Sequence, residues 1–300
     1  MLHLLYILAC LALMLFIVLK VKVVPFGGMA GFEVVEFHAT APTNTLGTVI
    51  PTVNPGGASG QFQVRAFKDP GIGELVTAWE FNQAVGAIRI KGPGMIDANQ
   101  GIRLRSGANS IIPLITYMGG ASNRIASGQI ITFDIAGSAV AGQIETGLAL
   151  FYYSGSDVMN QNLIDAAGLT LRRSGLIGAV EVALNPGAGG GWTGGRAFNF
   201  SFQNFKGDKN YAILGATTDV ICGGIGITGP CTGGFRYAIP TDLLSKDVGA
   251  NWGPYLSMAR GYPAILVMKG TDAGGTIIDC IQNQTGTAVN ATILVEELLD

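Results

Sequence analysis

Two histidines, His3 and His38, are all that this 300-residue chain offers for imidazole chemistry. A Ser-His-Asp or Cys-His arrangement needs a ring held beside a nucleophile. His3 lies in an apolar N-terminal run, and His38 reads as an ordinary strand-end residue. Cys10, Cys222, Cys231 and Cys280 contain no Cys-x-x-Cys spacing, and with so few histidines they form no zinc pattern. Cys222 and Cys231 flank a glycine-rich turn. They would bridge in an oxidising compartment, and read equally well as two small buried apolar residues. "GAGGGWTGG" at 187–195 lacks the lysine and the following helix of a phosphate cradle, so it reads as a flexible hairpin loop. Asp97, Asp134 and Asp279 stand singly at expected strand ends or turns, with no spacing that pairs them for hydrolysis of a glycoside. No catalytic, cofactor-binding or metal-binding residue follows from these patterns, and the chain reads as a non-enzyme.

The remaining charged residues have a pattern of their own. Arg65, Arg89, Lys91, Arg103 and Arg105 fall on the polar positions of strand-like runs in the front half. The matching positions of the rear half carry Gln203, Gly226, Thr228 and Arg236. That is either a solvated face or a pair of faces that meet different neighbours in an assembly. Net charge is −2 and no basic run exceeds Arg172-Arg173, which argues against direct nucleic-acid binding. Charged residues make up only 13% of the chain, about half the usual share. A free monomer generally needs a better-charged surface, so low charge implies burial against neighbours.

Residues 1–19, "MLHLLYILACLALMLFIVL", hold no charged side chain. As a helix they would span about 28 Å, one hydrocarbon core. The expectation is an N-terminal transmembrane or membrane-contacting helix over 1–22, followed by a tether at 23–31. Its lipid contacts would come from Leu4, Leu5, Ile7, Leu8, Leu11, Leu15, Phe16 and Leu19, with Lys20 and Lys22 reaching the headgroups. A cleaved signal peptide is the rival reading, but its positive residues would precede the apolar run. The lysines place the body of the protein on the cytoplasmic side. There the thiols stay reduced and the sequons at Asn199, Asn283 and Asn290 have no meaning.

Behind the N-terminus, glycine and proline punctuate short apolar runs, an all-β signature. Seven segments of the front half recur in order in the rear half. They are 46–56 with 177–187, 62–68 with 200–206, and "GAIRIKGP" at 86–93 with "GGIGITGP" at 223–230. Then come 101–104 with 234–237, 113–120 with 263–270, 128–131 with 275–278, and 143–150 with 288–295. The offset changes most in loop-like text, where insertions are tolerated. The order of the matches points to a tandem duplication.

Within each copy, apolar and polar residues alternate, as in "AIRIK", which implies antiparallel sheets packed face to face. The front copy predicts strands near 32–38, 46–53, 61–67, 74–80, 86–91, 101–105, 111–118, 129–135 and 143–153. About eight strands in two sheets is a jelly-roll sandwich, with an immunoglobulin-like sandwich as the nearest alternative. The expected domains are a first jelly roll at 32–155, a linker helix at 156–170 and a second jelly roll at 171–300. The linker helix would be capped by Ser156 or Asp157 and stopped by Gly168. Short helices are expected at "TDLLSKD" and at 254–261.

A membrane-tethered, low-charge, duplicated β-sandwich resembles the double-jelly-roll major capsid proteins of tailless icosahedral viruses with an internal membrane. The paired blocks "NPG" with "NPG", "FQVRAFK" with "FSFQNFK" and "GAIRIKGP" with "GGIGITGP" carry that resemblance over residues 32–300. The resemblance implies homotrimers that act as pseudo-hexameric capsomers in the virion. Their partners would be neighbouring capsomers, minor capsid or vertex proteins, and the lipid membrane at which the shell assembles in the host cytoplasm. It also implies that the insertion at 238–261 projects outward. The alternative is a membrane-anchored or secreted tandem-sandwich binding or surface protein, for which Trp79, Trp192 and Trp252 form no obvious surface row.

Overall fold

A computed structural model describes residues 30–40, 47–49, 51–53, 62–63, 73–81, 87–92, 99–105, 116–117, 124–125, 128–136, 144–154, 161–186, 191–198, 205–220, 222–241, 249–261, 263–281 and 287–299. Residues 1–22, with every expected lipid contact from Leu4 to Lys22, lie outside these. No helix among the described residues is long and apolar enough to cross a membrane. The last two residues of the expected tether, Ala30 and Gly31, already belong to the first strand.

The front half contains β1 (Ala30–Thr40), β2 (Gly47–Val49), β3 (Pro51–Val53), β4 (Phe62–Gln63), β5 (Gly73–Phe81) and β6 (Ala87–Lys91). It continues with β7 (Ile102–Arg105), β8 (Thr116–Tyr117), β9 (Arg124–Ile125), β10 (Ile130–Ala136) and β11 (Ile144–Ser154). Each of the nine sequence-predicted runs overlaps at least one of these strands, and β9 falls in none of the runs. The run at 46–53 is divided: β3 pairs with β1 in one sheet and β2 with β10 in the other.

The rear half opens with β12 (Leu163–Ile164) and α1 (Ala166–Arg172). Residues 155–160, which hold most of the expected linker helix with Ser156 and Asp157, lie outside the described residues; Gln161 at their edge is helical, and α1 is a separate helix behind β12. Asp165 is the cap, accepting 2.6 Å from the Gly168 amide, and Gly168 lies within the helix instead of ending it. An aspartate one residue before a helical run outcompetes the glycine as a boundary signal because it satisfies an orphan amide. The strands β13 (Arg173–Leu184), β14 (Trp192–Ala197), β15 (Asn210–Thr218), β16 (Ile225–Thr228) and β17 (Tyr237–Ile239) follow, then α2 (Trp252–Arg260), β18 (Ile265–Lys269), β19 (Ile277–Ile281) and β20 (Val289–Leu298). "WTGGRA" is thus the strand β14, bulged between Thr193 and Arg196, where the glycines predict a loop. A bulge absorbs the glycines without breaking the ladder.

The strands form four sheets, ordered β3-β1-β11-β5-β8 with β9 also on β5, β2-β10-β6-β7 with β4 also on β10, β12-β18-β15-β20-β13, and β14-β19-β16-β17. All pairings are antiparallel, and among the described residues none joins the front half to the rear. The two halves can be numbered alike. In the front, strands one to eight are β1, β2 with β3, β5, β6, β7, β8 with β9, β10 and β11; in the rear they are β13 to β20. Both halves then have one sheet ordered one-eight-three-six and another ordered two-seven-four-five.

Five of the seven repeated segments fall on equivalent strands of the two halves. "GAIRIKGP" and "GGIGITGP" supply the fourth strand, β6 and β16, and the later matches supply strands five to eight. The match of 46–56 with 177–187 does not: 177–184 belongs to the first strand, β13, whereas 47–53 is the second. The topological partner of "IGAVEVA" is "FEVVEFH" at 32–38 in β1. The match of 62–68 with 200–206 falls mostly outside the described residues.

The front core is lined by Val35, Phe37, Ile88, Ile90, Phe133 and Phe151. Phe37 and Phe133 stack at 4.4 Å, and each buried ring is worth about 2–3 kcal/mol. Simple apolar-polar alternation fails for the sheet of β1, β5 and β11. Its residues on the other face, among them Phe32, Val34, Leu148 and Leu150, are buried too and join the rear core. A sheet covered on both faces needs apolar residues at both parities.

Candidate functional site

The face of the β1–β11–β5 sheet that points away from the front core rests on the rear half. Phe32 meets Tyr237 edge-on at 6.2 Å between ring centroids. The fully buried Trp79 donates its indole N–H to the carbonyl of Gly223 at 2.7 Å. Arg260, at the end of α2, lies 3.1 Å from the Glu74 carboxylate and donates to the Val76 carbonyl at 2.8 Å. The helix is built for this position. Trp252 and Leu256, one turn apart, are buried on one face, and Gly261 closes the C-terminus in the left-handed conformation at φ 72°. The described part of the 238–261 insertion is therefore folded into the molecule at the seam, where the resemblance implies an outward projection. The expected helix at 254–261 overlaps α2 up to Arg260, with Gly261 as its cap; residues 242–248 lie outside the described residues.

His38 sits on β1 beside this seam. Its Nδ1 is 2.6 Å from Oε1 of the buried Glu36, and the hydrogen bond to that carboxylate raises the imidazole pKa above its ordinary value. It is more than an ordinary strand-end residue, though no nucleophile is placed against it by any hydrogen bond described.

The outer faces of the two-seven-four-five sheets hold a second, duplicated constellation. On β10, Asp134 is 1% exposed although it points away from the core. It accepts from Arg89 Nε at 2.7 Å and lies 2.9 Å from Lys91 Nζ, both on β6. On β19, Asp279 is bound by the Arg236 guanidinium through Nε at 3.1 Å and Nη2 at 2.7 Å. Burial lifts the Asp279 carboxyl above the usual range against the pull of that arginine. The ladders make the two acids equivalent: Asp134 faces Arg89, Asp279 faces Gly226, and these two partners are the same position of the repeated octapeptide. Where the front half draws its cation from the fourth strand, the rear half draws it from just before the fifth. Gly226 makes this possible, because a Cβ there would overlap Asp279 Oδ1 and lie 2.9 Å from Arg236 Cγ. Arg236 also covers the Trp192 ring at 4.5 Å.

Both aspartates lie within strands and are paired, in contrast to the isolated strand-end or turn positions their spacing predicts; Asp97 lies outside the described residues. Of the basic residues singled out by sequence, Arg89 and Lys91 are ion-paired and Arg103 is exposed. Cys222, Cys231 and Cys280 are free and buried. Burial raises all three thiols, Cys231 to about 12, which leaves them protonated and poor nucleophiles. Cys222 lies 3.1 Å from Thr241 Oγ1. Trp79 and Trp252 are fully buried, so no surface row of tryptophans forms from the three. Among the described residues no group of three or more His, Cys, Asp or Glu is placed to hold a metal ion.

No family model matches the chain, and no curated protein matches it in sequence. Two solved structures align over 90% of it at very low identity. One is from the atomic structure of Sulfolobus turreted icosahedral virus, with 8% identity, a TM-score of 0.23 and 80% of that chain covered. The other is from a study of a triple jelly-roll fold and turret assembly in an archaeal virus, with 7% identity, a TM-score of 0.22 and 79% covered. Likeness this distant carries no argument about the present chain.

Proposed function

We propose that this chain is the major shell protein of an icosahedral virus, a double jelly roll that trimerises into pseudo-hexameric capsomers over a lipid membrane. The observation that carries the reading is the strand order. Eight strands arranged one-eight-three-six and two-seven-four-five describe a jelly roll, and the arrangement occurs twice in one chain. Two similar sandwiches per chain supply six similar sides per trimer, the shape that tiles a shell. The low charge of the sequence favours burial between neighbouring capsomers. Residues 1–22 serve as the lipid contact, and minor proteins complete the five-fold vertices. In this reading the part the chain plays is structural; the described thiols of Cys222, Cys231 and Cys280 are buried, and Asp134 and Asp279 are paired with arginines.

The test is the size of the full-length protein purified in mild detergent. Trimers by native mass measurement, and shell fragments in negative stain after detergent removal, are the expected result. Monomers at all concentrations would sink the reading and favour a surface-anchored binding protein.

A further inference from the structure

One carboxylate is buried in the seam itself. The Glu36 side chain is 2% exposed, whereas that of His38, its partner on β1, is 35% exposed. Gly191 brings the rear half against the carboxylate: a Cβ on it would lie 3.7 Å from Oε2 and 3.8 Å from Oε1. Glu36 shares a cross-strand row with Leu148 on β11 and Trp79 on β5, and the Trp79 indole N–H crosses to the Gly223 carbonyl. His38 shares the next row with Thr146 and Phe81. Neither row holds another charged residue. β3 sets Thr52 opposite Glu36, and Glu80 and Glu145 fall at the other parity of their strands. Toward the other end of the sheet Glu74 is matched by Arg260. In the rear half Arg236 covers Trp192, next to Gly191, but it is bound to Asp279. Among the described residues, His38 is therefore the one cation within hydrogen-bonding reach of Glu36, and Glu36 is the one charge acting on the ring.

We infer that His38 is a proton-operated latch on this seam: its protonated ring holds the two halves closed around Glu36, and its neutral ring lets them part there. The geometry divides the work between the two residues. The ring reaches solvent and follows bulk pH, while the carboxylate is sealed. With His38 charged, the 2.6 Å hydrogen bond is charge-assisted on both sides. With His38 neutral, Glu36 is a buried charge that has lost its countercharge, which is strongly unfavourable. Water relieves it, and the seam is the side that can admit water. In the front half β1 is pinned by its ladders to β11 and β3, whereas no strand pairing among the described residues crosses to the rear half. The same hydrogen bond raises the histidine pKa in the folded chain. Closure is therefore complete below about pH 6.5 and is lost as pH rises through the folded value. The inference is independent of the shell-protein reading.

The test is hydrogen exchange of the Trp79 indole N–H, followed by NMR in the full-length, isotope-labelled protein at about pH 5.5 and about pH 8.5. Each rate is divided by that of free tryptophan at the same pH. Backbone amides of β15, in the rear core, report unfolding and show that each variant is folded. In wild type the corrected Trp79 rate is expected to exceed that of β15, and to rise about tenfold between the two pH values, the effect of losing one hydrogen bond to a charged group. His38→Gln should exchange at the fast rate at both pH values. Glu36→Gln, which removes the buried charge, should stay at the slow rate at both. A hydrogen bond with only a structural role would instead make both variants fast, and that result overturns the inference. So does a Trp79 rate that ignores pH, one that keeps its pH dependence in His38→Gln, or one that matches β15 throughout, which would mean that the seam opens only on unfolding.

Discussion

His38 and Glu36 are two positions apart on one strand, so both side chains point to the same side, and the pair closes at 2.6 Å. Because the hydrogen bond raises the histidine pKa in the folded chain, the sign of its pH dependence is fixed. The stabilisation is complete below about pH 6.5, the unfolded value, and is lost as pH rises through the higher folded value. The thermal midpoint should therefore fall between pH 6 and pH 8, and His38→Gln should flatten that part of the profile. A variant with the wild-type profile would show that the pair contributes nothing. The aspartate pairs teach a different lesson about single residues. Arg89 and Asp134 are 45 positions apart, and Arg236 and Asp279 are 43 apart, so no local spacing betrays either partner. The signal that could have found them was the octapeptide repeat itself. Its one charge-to-glycine change, Arg89 to Gly226, marks where the second copy had to fetch its cation from a neighbouring strand.

At the scale of elements, most of the strand map was legible because short apolar runs between glycines and prolines mark antiparallel strands directly. Two kinds of element were misread. "NPG" occurs after the second strand of the front half and after the first strand of the rear half, so turn chemistry alone aligned strands that are not equivalent. The true partner of β13 was hidden because β1 is buried on both faces, which replaces Ala179 and Ala183 by Val34 and His38. The helix α2 was legible as a helix, but its role was not, since its contact to Glu74 is 186 residues away in the chain. That contact sets a prediction. Arg260→Met keeps much of the side-chain volume but removes the guanidinium contacts to Glu74 and the Val76 carbonyl, at a cost of about 3 kcal/mol. Because no strand pairing among the described residues crosses the seam, the loss should fall on the coupling of the halves. Calorimetry is expected to resolve two unfolding transitions where wild type gives one. A single transition, merely shifted, would mean that the halves unfold together without this bridge.

The whole molecule is two sandwiches of one topology, joined among the described residues by contacts such as Trp79 to the Gly223 carbonyl and Arg260 to Glu74, with the described cysteines all in the rear one. Cys222, Cys231 and Cys280 are each at most 1% exposed, and Cys10 is the only other cysteine in the chain. The distribution gives the protein an internal clock. An alkylating reagent can reach those sulfurs only when the rear sandwich opens, while opening of the front one leaves no mark on them. Labelling of the folded protein, timed by mass spectrometry peptide by peptide, should therefore bring the three sites up together and far more slowly than an exposed thiol. If one of them were modified at once, its sandwich would breathe locally; if all three kept pace with denaturation of the whole, the two sandwiches would live and die as one body.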